Sequence, residues 1–212
     1  MARRKKALAE FHRDQIAGAA RLLFEQNGIG RTTVDEIAKT AEYSKATLYV
    51  YFKNKEEIVE YLVLESMQEL YGRMERAIGL DGDLISAYGL ICRELAAYRR
   101  EQPVCFDLIL NKIRIVRTEE EGPEIPALIY QTGEEINRLI GGFLEEGIRQ
   151  GVFREDLRIP QTVFLLWSSL AGMIRMADEK REYIETSMGC SSEEFMEYGF
   201  DCLLRSIKKE GR

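Results

Sequence analysis

Apolar side chains recur at intervals of three and four residues along almost the whole chain, and this spacing constrains the fold more than any other feature. A helix has about 3.6 residues per turn, so the spacing places apolar side chains on one face. In residues 8–27, for example, Phe11, Ile16, Ala20 and Phe24 form one stripe. No segment alternates apolar and polar residues between turns as a strand does. The spacing therefore predicts an all-α fold.

Capping residues, glycines and prolines divide this pattern into about nine helices. Asn27 and Gly28 end the first helix, and Gly151 ends the seventh, because Asn and Gly adopt the left-handed conformation that follows helices. Acidic residues and a proline oppose helix in residues 118–123, which predicts an exposed loop there. The predicted helices span residues 8–27, 34–41, 45–51, 54–77, 82–101, 103–117, 125–150, 160–186 and 193–209.

Composition excludes several classes of protein. Of the 212 residues, 31% are charged and 45% are hydrophobic, as in a globular protein. The longest apolar run, residues 163–167, is far shorter than the roughly 20 residues that cross a bilayer. The basic residues 3–6 are followed by charged side chains, where a signal peptide has an apolar stretch. We therefore expect a cytoplasmic protein that makes no contact with a membrane.

The cysteines and the single histidine offer little to a metal ion or to catalysis. Cys92, Cys105, Cys190 and Cys202 form no C-x-x-C pair, and His12 is far from them in sequence. We therefore expect buried free thiols, no metal and no cofactor. One histidine assembles no His-based dyad or triad, and no Gly-rich phosphate loop is present, so we expect no enzyme.

Charge is divided unevenly along the chain. Residues 1–55 contain 11 Lys and Arg against 6 Asp and Glu, whereas the remainder contains 19 against 30. A basic first quarter attached to an acidic body suggests an N-terminal module that binds a polyanion, because the acidic body is repelled by one.

Two short helices within the basic quarter form a helix-turn-helix pattern. Thr33 and Glu36 have the spacing of a capping box at the start of the second helix, and Ser44 caps the third. Leu48 and Phe52 are four residues apart, so they share the inward face of the third helix. A short helix docked in this way is small enough to enter the major groove of DNA.

The outward side chains of the third helix suit DNA chemistry. Lys45, Thr47, Tyr49, Tyr51 and Lys55 have polar tips that match phosphate oxygens and base edges. Ala46 is small enough to let the helix approach a base closely or touch a thymine methyl group.

Residues 28–58 resemble the DNA-binding segment of the TetR-type family of bacterial transcriptional regulators. Thr33, the pair Ile37 and Ala38, the pair Leu48 and Tyr49, Phe52, and Lys53 with Lys55 all follow the family pattern in order. A weaker similarity, in residues 151–157, resembles the turn before the first dimerisation helix of that family. The sequence departs from the pattern at Val50, where an aromatic residue is common, and at Tyr51.

The resemblance implies a role for each matching residue and for each part of the chain. Thr33, Tyr49, Tyr51 and Lys55 would contact phosphates, and Lys45, Ala46 and Thr47 would read bases. Residues 1–54 would form the DNA-binding domain, and residues 55–212 a larger helical domain for effector binding and dimerisation. The implied protein is a sequence-specific transcriptional repressor that binds a palindromic operator in double-stranded DNA and is released by a small-molecule effector.

Recognition by one short helix predicts a homodimer, because a single helix reads too few base pairs to select one genomic site. The last two predicted helices both have wide apolar stripes, suited to a four-helix interface made from two copies of each. These stripes contain Val163, Phe164, Trp167, Leu170, Ala171 and Ile174, and then Phe195, Met196, Gly199, Phe200, Leu203 and Ile207.

The middle helices supply candidate residues for an effector pocket, which the resemblance implies. We expect a largely apolar effector, such as a lipophilic drug or an acyl compound, because few charged residues occur among the candidates. The candidates are Met67, Phe106, Leu110, Asn111, Gln131, Phe143, Trp167, Ser168 and Met173. The alternative interpretation is a helical adaptor protein without sequence-specific DNA binding.

Overall fold

The structure is a computed structural model, and it describes residues 2–80, 82–111 and 124–210. The described residues contain no named strand, which confirms the all-α prediction, and only Phe153 and Lys208 form an isolated antiparallel bridge. The α-helices are α1 (Ala2–Asn27), α2 (Val34–Thr40), α3 (Lys45–Tyr51), α4 (Lys55–Leu80), α5 (Leu84–Glu101), α6 (Pro103–Asn111), α7 (Glu124–Arg149), α8 (Ile159–Glu179), α9 (Arg181–Tyr183) and α10 (Ser192–Ile207).

Within the described residues, the largest differences from the predicted helix boundaries lie at two places. α1 begins at Ala2, so the basic residues 3–6 are helical, in keeping with the helix propensity of Ala, Lys and Arg. The predicted helix 160–186 is divided into α8, α9 and a π-helical turn (Ile184–Met188), which gives ten α-helices in the described parts of the chain. The predicted loop 118–123 and the end of the predicted helix 103–117 lie outside the described residues.

The chain forms two compact units. The first comprises residues 1–68 and 102–131, and the second comprises residues 69–101 and 132–212. The first unit therefore contains the whole predicted DNA-binding head together with the first half of α4 and with α6. The functional boundary that we placed at residue 54 stays a prediction.

The first unit is organised around α1. Its buried face includes Ile16, Ala20 and Phe24, and α2, α3 and α6 pack against this helix. The guanidinium of Arg21 donates to Gln102 Oε1 over 3.3 Å and lies 3.6 Å from Glu65 Oε2. These contacts fix α1 to α4 and to the segment before α6.

The second unit is held together by polar contacts between its helices as well as by apolar packing. Tyr88 on α5 donates to the backbone carbonyl of Phe200 on α10 over 3.0 Å. Arg99 on α5 is buried and pairs with Asp178 on α8, again over 3.0 Å. Ser192, at the start of α10, donates to the carbonyl of Ala177. Helices α5, α8 and α10 therefore form the centre of this unit.

The apolar stripes assigned to a dimer interface are largely used within the second unit itself. Val163, Leu170, Ala171 and Ile174 on α8 are buried, as are Phe200 and Ile207 on α10. The apolar side chains that remain exposed on these two helices include Phe164, Leu165 and Tyr198. Any dimer formed through α8 and α10 therefore uses a narrower surface than the full stripes.

The prediction of buried thiols is correct for two of the four cysteines. Cys92 and Cys105 are buried, and burial raises the pKa of Cys92 to about 12, so this thiol stays protonated and unreactive. Cys190 is half-buried and Cys202 is exposed on α10, so the prediction is wrong for these two. No helix in the described residues is long and apolar enough to span a membrane.

Candidate nucleic-acid interface

The helix-turn-helix pattern folds as the sequence predicted. The capping box at Thr33 and Glu36 is present, and the Thr47 amide donates to Ser44 Oγ over 3.0 Å at the start of α3. Leu48 and Phe52 are 0% and 1% exposed, which confirms that they form the inward face. The turn between α2 and α3 closes through a hydrogen bond from the Tyr43 amide to the Ala38 carbonyl.

The predicted base readers occupy the accessible surface of α3. Lys45 and Ala46 are exposed, and Thr47 is half-buried. Tyr49, a predicted phosphate contact, is 47% exposed. The accessible face of α3 therefore contains most of the residues assigned to DNA contact.

Lys45 has a protein partner that its sequence position does not reveal. Its ammonium group lies 2.6 Å from Asp35 Oδ1 on α2, and both side chains are exposed. The hydrogen bond and the charge of Asp35 raise the pKa of Lys45. Lys45 can therefore read a base either through one of its two remaining N–H donors or by exchanging this carboxylate for a base edge.

Thr33 is engaged in the cap of α2. Its backbone amide and its hydroxyl each donate to Glu36 Oε2 over 2.8 Å, and the hydroxyl accepts a hydrogen bond from the Glu36 amide. The hydrogen bonds from Thr33 lower the pKa of Glu36, so this carboxylate stays charged at the start of the helix. A phosphate contact by Thr33 remains a prediction, since the hydroxyl hydrogen already has an acceptor.

Lys55 stabilises the loop that precedes α2. Its ammonium group donates to the carbonyl oxygens of Ile29 and Thr32 over 2.8 and 2.9 Å. An ammonium group has three N–H donors, so one further donor is available to a phosphate oxygen. The predicted phosphate contact is therefore compatible with a structural role.

Tyr51 belongs to a ring cluster on the side of α3. Its ring centroid lies 5.0 Å from that of His12 on α1, and His12 Nδ1 is 2.6 Å from the Tyr43 hydroxyl. His12 thus connects α1 to Tyr43, in the turn before α3, and to Tyr51, the last residue of α3. Tyr51 is half-buried, so only part of its side chain is accessible to a phosphate.

Val50 is an accessible residue of α3 that sequence reasoning did not include among the contacts. Its side chain is 75% exposed, more than that of Tyr49. Its position relative to Leu48 gave a usable signal: two residues in a helix are separated by about 200° around the axis, so Val50 points away from the buried face.

The candidate effector residues are divided between the two units. In the first unit, Met67 and Phe106 are buried, Leu110 is half-buried and Gln131 is exposed, whereas the side chain of Asn111 lies outside the described part.

In the second unit, Phe143 is buried and stacks edge-to-face on Phe153 with ring centroids 5.6 Å apart. Trp167 and Met173 are half-buried, and Met173 lies against Gly199. Ser168 is exposed, donates to the Leu165 carbonyl, and lines a shallow apolar groove on α8 with Phe164 and Leu165. Their grouping into one pocket stays a prediction.

Comparison with protein families matches residues 16–62 to the family described as "Bacterial regulatory proteins, tetR family". The probable HTH-type transcriptional regulator YttP of Bacillus subtilis (strain 168) is 38% identical over 174 residues, which cover 81% of this chain and 79% of YttP. The fatty acid metabolism regulator protein of the same organism is 25% identical over 176 residues, or 82% of this chain and 88% of that protein.

The fold is also similar to solved structures. The transcriptional regulator FadR from Bacillus subtilis, solved in complex with stearoyl-CoA, has a TM-score of 0.69 and 21% identity. The similarity covers 91% of this chain and 98% of the FadR chain. At this identity the likeness shows the shared fold, and it extends well beyond the helix-turn-helix segment.

Proposed function

Because this chain belongs to the tetR family of bacterial regulatory proteins, and is thus a DNA-binding transcriptional regulator, we propose that it represses transcription by placing α3 in the major groove of an operator. The observation that supports the proposal is the accessible face of α3. This face lies on the side of the helix opposite the buried Leu48, and Ser44 caps the start of the helix. A repressor of this kind acts on the chromosome, so we place it in the cytoplasm, and we assign it no catalytic role.

The proposed operator is a palindrome bound by a homodimer. One α3 of seven residues spans only a few base pairs, so two copies are needed to specify a site. The exposed Phe164 and Leu165 on α8, with Tyr198 on α10, support a self-complementary contact between two copies.

The proposed effector is a largely apolar molecule with an acyl chain. The FadR regulator of Bacillus subtilis supports this class: it is named as a regulator of fatty acid metabolism, and it was solved with stearoyl-CoA. Within the first unit, the buried Met67 and Phe106 supply apolar surface of the kind that such a chain requires. The effector would act by binding the DNA-free conformation more tightly than the DNA-bound one.

Selection of DNA from a randomised duplex library tests the DNA-binding half of the proposal. We expect enrichment of a palindrome whose half-sites are about one helical turn apart, or a multiple of it. If no sequence is enriched over the input library, the adaptor interpretation is favoured instead.

Variants of the recognition segment then test the assigned roles. Lys45→Ala and Thr47→Ala should change the preferred sequence, at about 1 to 3 kcal/mol per lost base contact, whereas Lys55→Ala should weaken binding to all sequences alike. If Lys45→Ala lowers affinity uniformly across the library, its assignment as a base reader is wrong.

A series of acyl-CoA compounds, including stearoyl-CoA, tests the effector half. A ligand of the DNA-free form must both raise the melting temperature and release operator DNA, and free CoA serves as the control without an acyl chain. If acyl-CoAs raise the melting temperature and leave operator affinity unchanged, the allosteric part of the proposal fails while DNA binding stands.

A further inference from the structure

The outermost strip of the recognition helix is apolar. Relative to the buried Leu48, Ala46 lies about 160° and Val50 about 200° around the helix axis, so these two residues flank the point farthest from the core. Val50 is 75% exposed and Ala46 is also exposed. The polar candidates Lys45 and Tyr51 lie only about 60° from Leu48, on the two flanks of the helix.

The contacts of the flanking residues agree with this arrangement. Lys45 turns to Asp35 on α2, and Tyr51 packs on the ring of His12. Ala46 and Val50, whose side chains have no hydrogen-bond donor or acceptor, therefore face the floor of a groove most directly. Thr47 and Tyr49 lie on either side of them, about 100° from Leu48.

The major groove offers one apolar group among the base edges, which is the C5-methyl group of thymine. Placing Val50 against cytosine instead removes water from an amino donor and provides no acceptor in return. Ala46 and Val50 are separated by about 6 Å along the helix axis, close to the rise of two base pairs.

We propose that Val50, together with Ala46, reads thymine methyl groups within two base pairs of each other in each operator half-site. This inference rests on the DNA-binding function proposed above and adds a specificity-determining residue to it. It predicts that thymines in the selected operator are recognised through their methyl groups, in addition to any hydrogen bonds.

Replacing thymine by deoxyuracil tests the inference, because deoxyuracil lacks only the methyl group. Each thymine of the selected operator is replaced singly, and the affinity of the purified full chain is measured by fluorescence anisotropy. One or two neighbouring positions in each half-site should lose about fourfold in affinity, the value expected for one buried methyl group. For Val50→Ala, the thymine and deoxyuracil duplexes should bind alike at the position that faces Val50.

Leu80→Ala is the matched control, since Leu80 is an exposed apolar residue, 76% accessible, outside the helix-turn-helix segment. It should keep the full deoxyuracil penalty. Val50 is 75% exposed, so Val50→Ala removes little packing and its melting temperature should match that of the unsubstituted protein. A deoxyuracil penalty that is absent at every thymine, or that is the same in Val50→Ala, overturns the inference. Failure of the unsubstituted protein to bind any duplex overturns the proposed function itself, and this inference with it.

Discussion

Glu42 holds an unfavourable backbone conformation in the turn between α2 and α3. Its φ is 61°, in the left-handed region that favours glycine. We expect Glu42→Gly to raise the free energy of unfolding by about 0.5 to 1 kcal/mol, because glycine removes the strain at some cost in chain entropy. Glu42→Ala removes the charge but keeps the strain, so an equal gain in both variants, measured by urea unfolding, would contradict the backbone explanation.

Lys55 connects the start of α4 to the loop before α2, so its loss should affect stability as well as DNA binding. Lys55→Ala leaves the carbonyls of Ile29 and Thr32 without a charged donor, and we expect a loss of about 1 to 2 kcal/mol in urea unfolding. Lys53→Ala, which removes the same charge from an exposed side chain, should change stability much less.

The salt dependence of DNA binding separates the two roles of Lys55. If its third N–H donor binds a phosphate, Lys55→Ala should lower the slope of log affinity against log salt by about 0.9. A loss of stability with an unchanged slope would assign Lys55 to the fold alone.

The sequence predicted which residues of α3 are buried, but it did not predict which residues of α1 and α2 contact the two sides of this helix. Leu48 and Phe52 follow from a four-residue spacing, a local signal. The pairing of Lys45 with Asp35 and the packing of Tyr51 on His12 join residues 10 and 39 positions apart. Such contacts depend on how α1, α2 and α3 pack, so they are visible only in the folded unit.

At the scale of the element, two glycines of α7 have opposite expected effects. A Cβ on Gly147 would lie 2.0 Å from the ring of Phe153, which is completely buried, whereas a Cβ on Gly142 meets no atom within 4 Å. Gly147→Ala should therefore destabilise the protein by about 1 to 3 kcal/mol through overpacking. Gly142→Ala should stabilise it by up to about 1 kcal/mol through helix propensity. Thermal unfolding of the two variants measures both, and shifts of the same sign would contradict this packing argument.

The starts of α2 and α10 were predictable from the sequence, whereas the end of α8 was not. The capping boxes at Thr33 and Ser191 involve residues three apart, so the sequence predicts them directly. α8 ends at Glu179 without a glycine or proline, at the point where Asp178 pairs with Arg99 and the Ala177 carbonyl accepts from Ser192. The end of α8 thus coincides with tertiary contacts, and local helix propensity does not predict such contacts.

For the whole molecule, the charge division suggested a head of about 55 residues, but the first compact unit is larger. The first half of α4, from Lys55 to residue 68, belongs to this unit, and Arg21 on α1 binds Gln102 and Glu65. α6 is therefore part of the same unit as the helix-turn-helix segment. Sequence periodicity identified these helices correctly, but their grouping depends on contacts across 81 residues of chain.

The largest-scale prediction concerns assembly through the exposed apolar side chains of α8 and α10. Phe164 is 64% exposed and Tyr198 is 70% exposed, which is unfavourable for a side chain left in water. Burying them between two copies removes this cost, so light scattering at micromolar concentration should give the mass of two chains. A mass of one chain throughout would exclude the dimer.

Phe164→Glu tests the position of the interface, because two copies that meet about a two-fold axis would bring the new charges into the same desolvated contact. We expect this variant to sediment as a monomer and to lose most of its affinity for the palindrome, while a single half-site binds it no more weakly than before. Leu80→Glu introduces the same charge at another exposed apolar residue and should remain dimeric. If Phe164→Glu stays a dimer with full operator affinity, the two copies meet through a different surface, and the exposed side chains of α8 require another explanation.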